Sequence, residues 1–446
     1  MRRTTTLTAL GCLLALPLGL GLASAPAQAV ETCDGRAATI VVAPSTTYPV
    51  TPVQGTPGDD VIVGTDGDDI VLGNGGNDVI CALAGRDEVH GGDGDDRLFG
   101  GADGPYYPDD GYRGDVLVPG PGDDFVDLGD DPASADIAGV DRFAFYDTVS
   151  YRDAGGPVEV DLTVGMATGQ GRDTIVVPSF SGGIVGSDFD DVLTGSDRPD
   201  RIDGGGGDDL IEARAGKDDV LPDNRGRPWS AIPWESDLAA GDDTVRAGDG
   251  RDLVWTRIGI DRVAGGDGND YLHHQGNAGR LVGGDGRDSL DAGPGVDLVG
   301  GDGRDELDSV VGRARHLVEG GRDLDVLRLR TDRTTFEPGS DWRVDRPQQR
   351  VLVDGRRTLT YRAVEDLRLT VRGGRLTYVG ASGPDRFFAS PSVRVRAFGR
   401  GGPDVLIGGR HADLLDGGTG HDTLQGSGGR DRCLRGEQLE SCEVRR

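Results

Sequence analysis

Aspartate residues recur at a fixed spacing between Gly55 and Phe99, where five nine-residue units follow one another without a gap. Each unit has Gly at its fourth position, Asp at its sixth and an aliphatic residue at its eighth. Turns that stack at the strand spacing of about 4.8 Å would place these carboxylates in a column. A column of carboxylates repels itself unless cations lie between its members. The spacing therefore predicts metal binding.

The same unit returns along the chain, so the candidate metal ligands are numerous. They are the sixth-position aspartates Asp60, Asp69, Asp78, Asp87, Asp96, Asp124, Asp191, Asp200, Asp209, Asp218, Asp243, Asp252, Asp270, Asp288, Asp297, Asp305, Asp404, Asp413, Asp422 and Asp431. The step from Asp297 to Asp305 is eight residues rather than nine, which predicts a tightened or broken coil there.

Oxygen ligands in glycine-rich turns favour Ca²⁺ over other metals. Ca²⁺ takes carboxylate and carbonyl oxygens at about 2.3–2.6 Å, whereas Mg²⁺ requires a stricter octahedron and keeps its waters. Zn²⁺ prefers Cys or His, and the six His of this chain show no clustered ligand spacing. A metal-free β-solenoid is the alternative, but such a fold does not require Asp at the same place in every turn.

Short strands and tight turns are the elements that must position these ligands. Glycine at the early positions of a unit permits the positive φ of a tight turn. The last three residues predict a short strand whose middle side chain points inward. The chain has 446 residues but only 5% aromatics, so the free energy gained by burying apolar side chains is small relative to the entropy lost on ordering it. We therefore expect the chain to need Ca²⁺ in order to fold.

Two segments differ from the repeats and divide the chain. Val158 to Leu162 alternates apolar and polar residues, which predicts ordinary half-buried strands. The stretch 328–379 holds 12 Arg against 7 acidic residues, and we expect it to cap or dock on the acidic array. The predicted division is a signal peptide at 1–29, an N-terminal repeat block at 30–127, a β spacer at 128–185, central repeat blocks at 186–327, a basic β segment at 328–398 and a C-terminal repeat block at 399–446.

The first 29 residues have the pattern of a secretion signal. Arg2 and Arg3 precede an apolar run, and an Ala-Gln-Ala site predicts cleavage after Ala29. Lipidation at Cys12 is the weaker alternative, because the apolar run continues past it. No later apolar run is long enough to span a membrane. The formal net charge of −30 disfavours nucleic acid and anionic membranes as partners.

Four cysteines remain after this cleavage, and an even number in an exported chain predicts disulfides. Cys33 and Cys81 lie near the N-terminal end, and Cys433 and Cys442 lie near the C-terminal end. We therefore expect the pairs Cys33–Cys81 and Cys433–Cys442, each fastening one end of the array.

The unit resembles the repeats-in-toxin (RTX), or hemolysin-type, calcium-binding repeat, whose pattern is G-G-x-G-x-D-x-aliphatic-x. Full matches occupy 91–99, 265–273, 283–291, 300–308 and 417–425. The resemblance implies an all-β fold of parallel β-roll blocks, in which two units make one coil and the sixth-position Asp holds Ca²⁺ with loop carbonyls. Asp147 to Thr194 is similar to the spacer between repeat blocks in large members. The N-terminal signal departs from the C-terminal signal of type I secretion and is closer to Sec-exported Gram-positive members.

Catalytic motifs are not evident in the sequence. It contains neither H-E-x-x-H nor G-x-S-x-G, and the pair His273-His274 has no Glu partner nearby. We expect a secreted calcium-binding protein without enzymatic activity, with a structural or adhesive role outside the cell, and cell-surface or matrix polysaccharide or protein as partner. The alternative is a calcium-dependent secreted enzyme acting on polysaccharide. Candidate contact residues are Trp229, Trp234, Tyr106, Tyr107 and Tyr112, although packing over an interrupted roll would explain them equally well.

Overall fold

The computed structural model describes residues 31–44, 50–103, 114–129, 147–178, 181–223, 241–331, 340–371 and 374–445. These residues form strands and turns and no helix, as the repeat pattern predicts. Accordingly, no membrane-spanning helix is found within these ranges.

Strands in the first half of the chain are two to seven residues long, as expected for the strand portion of a nine-residue unit. They are β1 Thr32–Cys33, β2 Arg36–Ala37, β3 Ile40–Val41, β4 Val53–Gln54, β5 Val61–Thr65, β6 Ile70–Gly75, β7 Val79–Gly85, β8 Glu88–Asp93, β9 Arg97–Asp103, β10 Val116–Val118, β11 Phe125–Asp127, β12 Thr148–Ser150, β13 Glu159–Asp161, β14 Met166–Thr168, β15 Arg172–Val176, β16 Gly182–Val185, β17 Val192–Thr194, β18 Asp200–Asp203, β19 Leu210–Glu212, β20 Ala215–Gly216 and β21 Asp219–Leu221.

Several strands in the second half are longer and extend into the turns. They are β22 Thr244–Gly250, β23 Leu253–Thr256, β24 Ile260–Gly268, β25 Tyr271–His274, β26 Ala278–Gly286, β27 Ser289–Ala292, β28 Val296–Asp302, β29 Glu306–Val311, β30 His316–Arg322, β31 Val326–Thr331, β32 Asp341–Asp345, β33 Arg350–Val353, β34 Arg356–Arg362, β35 Asp366–Thr370, β36 Arg375–Val379, β37 Arg386–Phe388, β38 Arg394–Gly401, β39 Val405–Ile407, β40 Leu414–Thr419, β41 Thr423–Gln425, β42 Arg432–Leu434, β43 Gln438–Glu440 and β44 Val444–Arg445.

The strands stack as a parallel β-solenoid in which two units make one coil. Strands of alternate units pair in parallel register, so that Ile62 faces Ile80 on one side and Val71 faces Val89 on the other. The first sheet runs from β3 and β5 to β42 and β44. The second sheet runs from β4 to β35, and a third sheet of β37, β39, β41 and β43 follows it on the same side.

The core is a double row of aliphatic side chains between the sheets. The eighth-position residues Ile62, Val71, Ile80, Val89 and Leu98 are fully buried. Their neighbours in the strand point outward, since successive residues of a strand face opposite sides. Each unit therefore adds one inward side chain, and the core is long and thin rather than globular.

Two antiparallel insertions interrupt the parallel stack in the segments predicted as ordinary strands. β13, β14 and β15 form one meander, and β32, β33 and β34 form the other. Both meanders rejoin the first sheet through parallel pairing, β13 with β17 and β32 with β36. The spacer and the basic segment are thus integral parts of the solenoid.

The arginines of the basic segment contact acidic residues of the repeats, but not by docking on the array from outside. Arg330 in β31 lies next to Asp291 and within 2.6 Å of Asp308 on the two preceding strands of the second sheet. Arg362 in β34 lies 3.2 Å from Glu319 in β30. The segment continues the coil, and its charge is balanced laterally between neighbouring strands.

Both predicted disulfides are present in the structure. Cys33 is bonded to Cys81 and Cys433 to Cys442. The first joins β1 to β7 and so ties the N-terminal hairpin to the first sheet, while the second links β42 to the last turn. A cross-link at each end restrains fraying where a coil has only one neighbour.

The inward row predicts a large difference between two leucines on adjacent strands. Leu193 is fully buried, whereas Leu210 has 39% of its surface exposed. Leu193→Ala should lower the free energy of unfolding by about 2–5 kcal/mol, because it leaves a cavity in a core one side chain thick. The control Leu210→Ala should change it by less than about 0.5 kcal/mol. Urea unfolding in excess Ca²⁺ measures both, and equal losses would contradict the assignment of the inward face.

Candidate metal centre

The predicted aspartates stand in two columns, one along each edge where a turn enters a sheet. The first column precedes strands of the first sheet and contains Asp60, Asp78, Asp96, Asp124, Asp191, Asp209, Asp243, Asp413 and Asp431. The second column precedes strands of the second and third sheets and contains Asp69, Asp87, Asp200, Asp218, Asp252, Asp270, Asp288, Asp305, Asp404 and Asp422. All of these side chains are buried.

A hydrogen-bond ladder holds each column in register. The backbone N–H of Asp60 donates to Oδ1 of Asp78 at 2.7 Å, and the N–H of Asp78 donates to Oδ1 of Asp96 at 2.7 Å. The same bond recurs in the second column, where Asp270 N–H donates to Asp288 Oδ1 at 2.9 Å. One carboxylate oxygen of each bonded aspartate is thus committed to the coil before it.

Sequence reasoning missed several members of the columns. Asp173 and Asp261 belong to the first column, and Asp115, Asp147, Asp325 and Asp385 belong to the second. Glu365, Glu437 and Glu443 accept the same ladder bond where columns end. The signal was available, because each of these aspartates is followed two residues later by a buried apolar side chain: Leu117, Val149, Ile175, Val263, Leu327 and Phe387.

Asp297 is the one predicted ligand that lies outside the columns. Val296 takes the position in register with Gly279, and Asp297 follows it in β28. Asp297 Oδ1 instead accepts a hydrogen bond of 2.6 Å from the backbone N–H of Leu317. The shortened coil predicted here is therefore real, and the missing residue lies before Asp297, which shifts the unit by one position.

The first glycine of a unit makes room for the second carboxylate oxygen. A Cβ added at Gly91 would lie 2.4 Å from Asp96 Oδ2 and 2.5 Å from the carbonyl oxygen of Pro119 in the next coil. A Cβ added at Gly283 would meet Asp288 Oδ2 and the carbonyl oxygen of Gly300 at similar distances. Carboxylate and carbonyl oxygens therefore converge beside this glycine.

Most turns leave this second oxygen unsatisfied, and we call them open turns. Within the described residues, Oδ2 is buried and has no hydrogen-bond partner in Asp78, Asp87, Asp96, Asp124, Asp209, Asp218, Asp243, Asp252, Asp270, Asp288, Asp305, Asp325, Asp404, Asp422 and Asp431. A buried carboxylate oxygen without a partner is costly, and native proteins rarely tolerate it without an ion or water.

A smaller set of turns satisfies Oδ2 from within, and we call them closed turns. In the first of them, Asp60 Oδ2 accepts the Thr56 N–H at 2.7 Å and the Thr56 hydroxyl at 2.8 Å. The donor is always the residue four positions before the aspartate. The closed turns belong to Asp60, Asp69, Asp191, Asp200, Asp385 and Asp413.

Backbone conformation at the second position of the unit accompanies this difference. Most open turns have a positive φ there, usually at glycine, as in Gly92 at 110° and Gly266 at 116°. Non-glycine residues also adopt it, among them Leu83 at 86° and Arg214 at 83°. A positive φ at such residues is energetically unfavourable and indicates that the turn geometry is required.

The electrostatic consequence of burial is a raised pKa in most of the open turns. Burial raises the pKa of Asp87 to about 8 and, helped by repulsion from Asp243 and Asp191, that of Asp209 to about 9. In closed turns the internal donors oppose this effect: the backbone hydrogen bond from Thr56 lowers the pKa of Asp60, while burial still raises that of Asp200 to about 6. Open turns thus hold carboxylates that are poorly stabilised as anions without a cation.

This donor set fits Ca²⁺. Each open turn offers a buried carboxylate oxygen next to backbone carbonyl oxygens, which are the hard ligands that Ca²⁺ prefers. The residues in the described turns that would hold it are the aspartates of the open turns other than Asp243, which lies in a group with Asp223 and Asp261. The candidate contact residues Trp229, Trp234, Tyr106, Tyr107 and Tyr112, and the signal segment 1–29, lie outside the described residues.

Comparison with known proteins agrees with this description. Six segments match the family model described as RTX calcium-binding nonapeptide repeat (4 copies), at residues 54–89, 82–104, 185–220, 239–272, 276–307 and 397–433. No curated protein matches the chain. The matches support an RTX-type repeat protein whose repeats indicate calcium binding, and repeats of this kind are typically non-catalytic.

The room beside the first glycine gives a direct test of the open turn. Gly91→Ala places a Cβ against Asp96 Oδ2 without requiring a positive φ, and we expect it to lower Ca²⁺ affinity at this turn by about tenfold or more. The control Gly58→Ala adds the same methyl group where no atom lies within 4 Å, and it should bind like the wild type. Calorimetric Ca²⁺ titration measures both, and equal isotherms would contradict the convergence of ligands at Gly91.

The raised pKa values predict how the metal-free protein responds to pH. The folded-state pKa of Asp209 and Asp218 is about 9 against an ordinary value of 3.8, so the folded state binds more protons between these limits. These two carboxyl groups therefore contribute stability to the metal-free fold that is fully present below about pH 4 and is lost as the pH rises towards 9. Circular dichroism in chelator should show β structure decreasing over this range. A constant or rising β signal would contradict the burial of these carboxylates.

Proposed function

We propose that this RTX-type repeat protein is a secreted calcium-binding protein whose open turns bind Ca²⁺ and whose solenoid folds on binding. The observation that carries the proposal is the repeated buried Oδ2 without a partner, found in both columns. A single unsatisfied oxygen would be a local defect. The same oxygen at the same place in turn after turn is a property of the repeat.

Each aspartate of an open turn would contribute in two directions. Its Oδ1 accepts the N–H of the coil before it, as Asp96 does from Asp78 at 2.7 Å. Its Oδ2 faces the carbonyl oxygen of the following coil beside the first glycine of the unit. The bound ion would supply the positive charge that both the carboxylate and the carbonyl dipole need.

Coupling of binding to folding follows from the spacing of the charges. Carboxylates of one column repeat with every coil and are shielded from water, so their repulsion is weakly screened. In the unfolded chain the same groups are solvated and far apart. Ca²⁺ that binds only the folded turns shifts the equilibrium towards the solenoid by mass action.

An extracellular location is supported by the two disulfides and the signal-like pattern of 1–29. Sec export followed by folding in a calcium-rich medium would let the chain leave the cell unfolded. A long, rigid, multiply metallated solenoid suits a structural or adhesive role at the cell exterior. Cell-surface or matrix polysaccharide or protein is the partner we propose for it.

Calcium removal and one pair of matched variants test this function. Far-UV circular dichroism of the exported chain at pH 8 should show little β structure in chelator and a cooperative gain on adding Ca²⁺. Asp96→Asn should shift the midpoint of this gain to higher Ca²⁺, because it removes the charge that faces the ion.

Asp95→Asn is the control, since it makes the same chemical change one residue away. Asp95 is exposed, and its Oδ1 accepts the N–H of Asp123 at 3.0 Å. Asn77 accepts the equivalent bond from Asp95, so an amide is tolerated at this position. A spectrum that does not change with Ca²⁺, or equal shifts in the two variants, would contradict the proposal.

A further inference from the structure

One group of buried side chains in the first column differs in chemistry from the open turns. Asp223, Asp243 and Asp261 place carboxylate oxygens within 4.8 Å of one another, and all three are buried. His274, which is 1% exposed, places its Nδ1 3.0 Å from Asp261 Oδ2. Thr256 Oγ1 lies 2.5 Å from the same nitrogen.

The group arises where the repeat pattern is altered in three consecutive coils. The coil after Asp261 has Gly279 at the sixth position, so the column lacks a carboxylate there. In that unit the first position, usually glycine, is His274, whose ring packs against Gly276 and Gly279. An imidazole therefore takes the space that a column aspartate occupies elsewhere.

Asp223 adds a carboxylate that the repeat does not normally supply. Asp223 is the second residue of its unit, and Arg257 is the second residue in the next coil. Most open turns have a positive φ at this position, but neither of these two residues does. The N–H of Arg257 donates to Asp223 Oδ2 at 2.6 Å, which fixes the side chain. Among the described residues, Oδ1 of Asp223 and Oδ2 of Asp243 have no hydrogen-bond partner.

The protonation of His274 is constrained by its other nitrogen. Nε2 lies 2.7 Å from the carbonyl oxygen of Ala278 and must donate to it, since a carbonyl only accepts. In a neutral ring Nδ1 is then an acceptor, which takes a hydrogen bond from the Thr256 hydroxyl at 2.5 Å and lies 3.0 Å from Asp261 Oδ2. This arrangement, with the far N–H held by a backbone carbonyl, is the usual one for a metal-binding histidine.

We propose that Asp223, Asp243, Asp261 and His274 form a site for a first-row transition-metal dication, separate in selectivity from the Ca²⁺ turns. Imidazole binds such metals more strongly than it binds Ca²⁺, and carboxylates are suitable ligands for Mn²⁺. Two ligand atoms that bind one metal ion at about 2.1 Å, with a right angle at the metal, lie about 3.0 Å from each other. His274 Nδ1 and Asp261 Oδ2 are separated by this distance. The longer bonds of Ca²⁺, about 2.4 Å, would give about 3.4 Å.

Mn²⁺ is the probe for this site, because its paramagnetism reports both stoichiometry and ligand type. The full exported chain is folded in excess Ca²⁺ with added Mn²⁺ and then desalted into Ca²⁺ buffer. Electron paramagnetic resonance should show one retained Mn²⁺ per chain. Pulsed spectra should show coupling to one ¹⁴N nucleus, which carbonyl and carboxylate ligands cannot produce.

Matched histidine variants locate the nitrogen. His274→Gln should abolish the ¹⁴N coupling and weaken Mn²⁺ binding by at least about tenfold. His273→Gln alters the adjacent histidine, whose Nδ1 lies 3.5 Å from Asp291 on the outer face, and should leave both signals unchanged. Asp223→Asn should weaken binding while keeping the coupling in the Mn²⁺ that remains.

Two results would overturn the proposal. Absence of retained Mn²⁺ would mean that these four side chains do not form a transition-metal site. Retained Mn²⁺ without ¹⁴N coupling would mean that Mn²⁺ occupies only the calcium-type turns. If His274→Gln does not fold in Ca²⁺, the coupling in the wild type still decides the question. Circular dichroism against Ca²⁺ is recorded separately, so a failure of the calcium function is distinguishable from a failure of this site.

Discussion

Repulsion between carboxylates stacked one coil apart is the constraint on which the solenoid depends. The parallel register that buries the eighth-position side chains also brings the sixth-position aspartates together, because both belong to the same rigid unit. The core cannot form without the columns. Whatever neutralises the columns is therefore as much a part of the fold as the aliphatic row.

The two carboxylate oxygens of each column aspartate have different roles in the stacked coils. Oδ1 accepts a hydrogen bond from the backbone N–H of the preceding coil and so fixes the register of the two coils. Oδ2 is what distinguishes one turn from another. In a closed turn the backbone N–H of the second residue donates to Oδ2, and in most open turns a positive φ at that residue leaves the oxygen to be satisfied by a cation.

The sequence was sufficient for the all-β repeat architecture, because a fixed period specifies both the strand and the turn. It was insufficient wherever a loop changed the distance between coils. Asp124 and Asp173 are ladder partners although 49 residues separate them, so counting in nines could not connect them. The local pattern of an aspartate followed two residues later by a buried side chain survives such insertions. The same pattern rejects Asp297, since the buried residue is its immediate neighbour Leu298.

Closed turns lie where the solenoid begins and where it resumes after each of the two meanders. Asp60 and Asp69 open the N-terminal coils of the two columns, and Asp191 and Asp200 open the central ones after the spacer. Asp385 and Asp413 resume the columns after the meander of β32, β33 and β34. In all six, Oδ2 is satisfied by the chain itself. A coil next to a meander has irregular neighbours and cannot rely on carbonyl oxygens at the repeat spacing, so a carboxylate that the chain itself satisfies lets regular stacking start there.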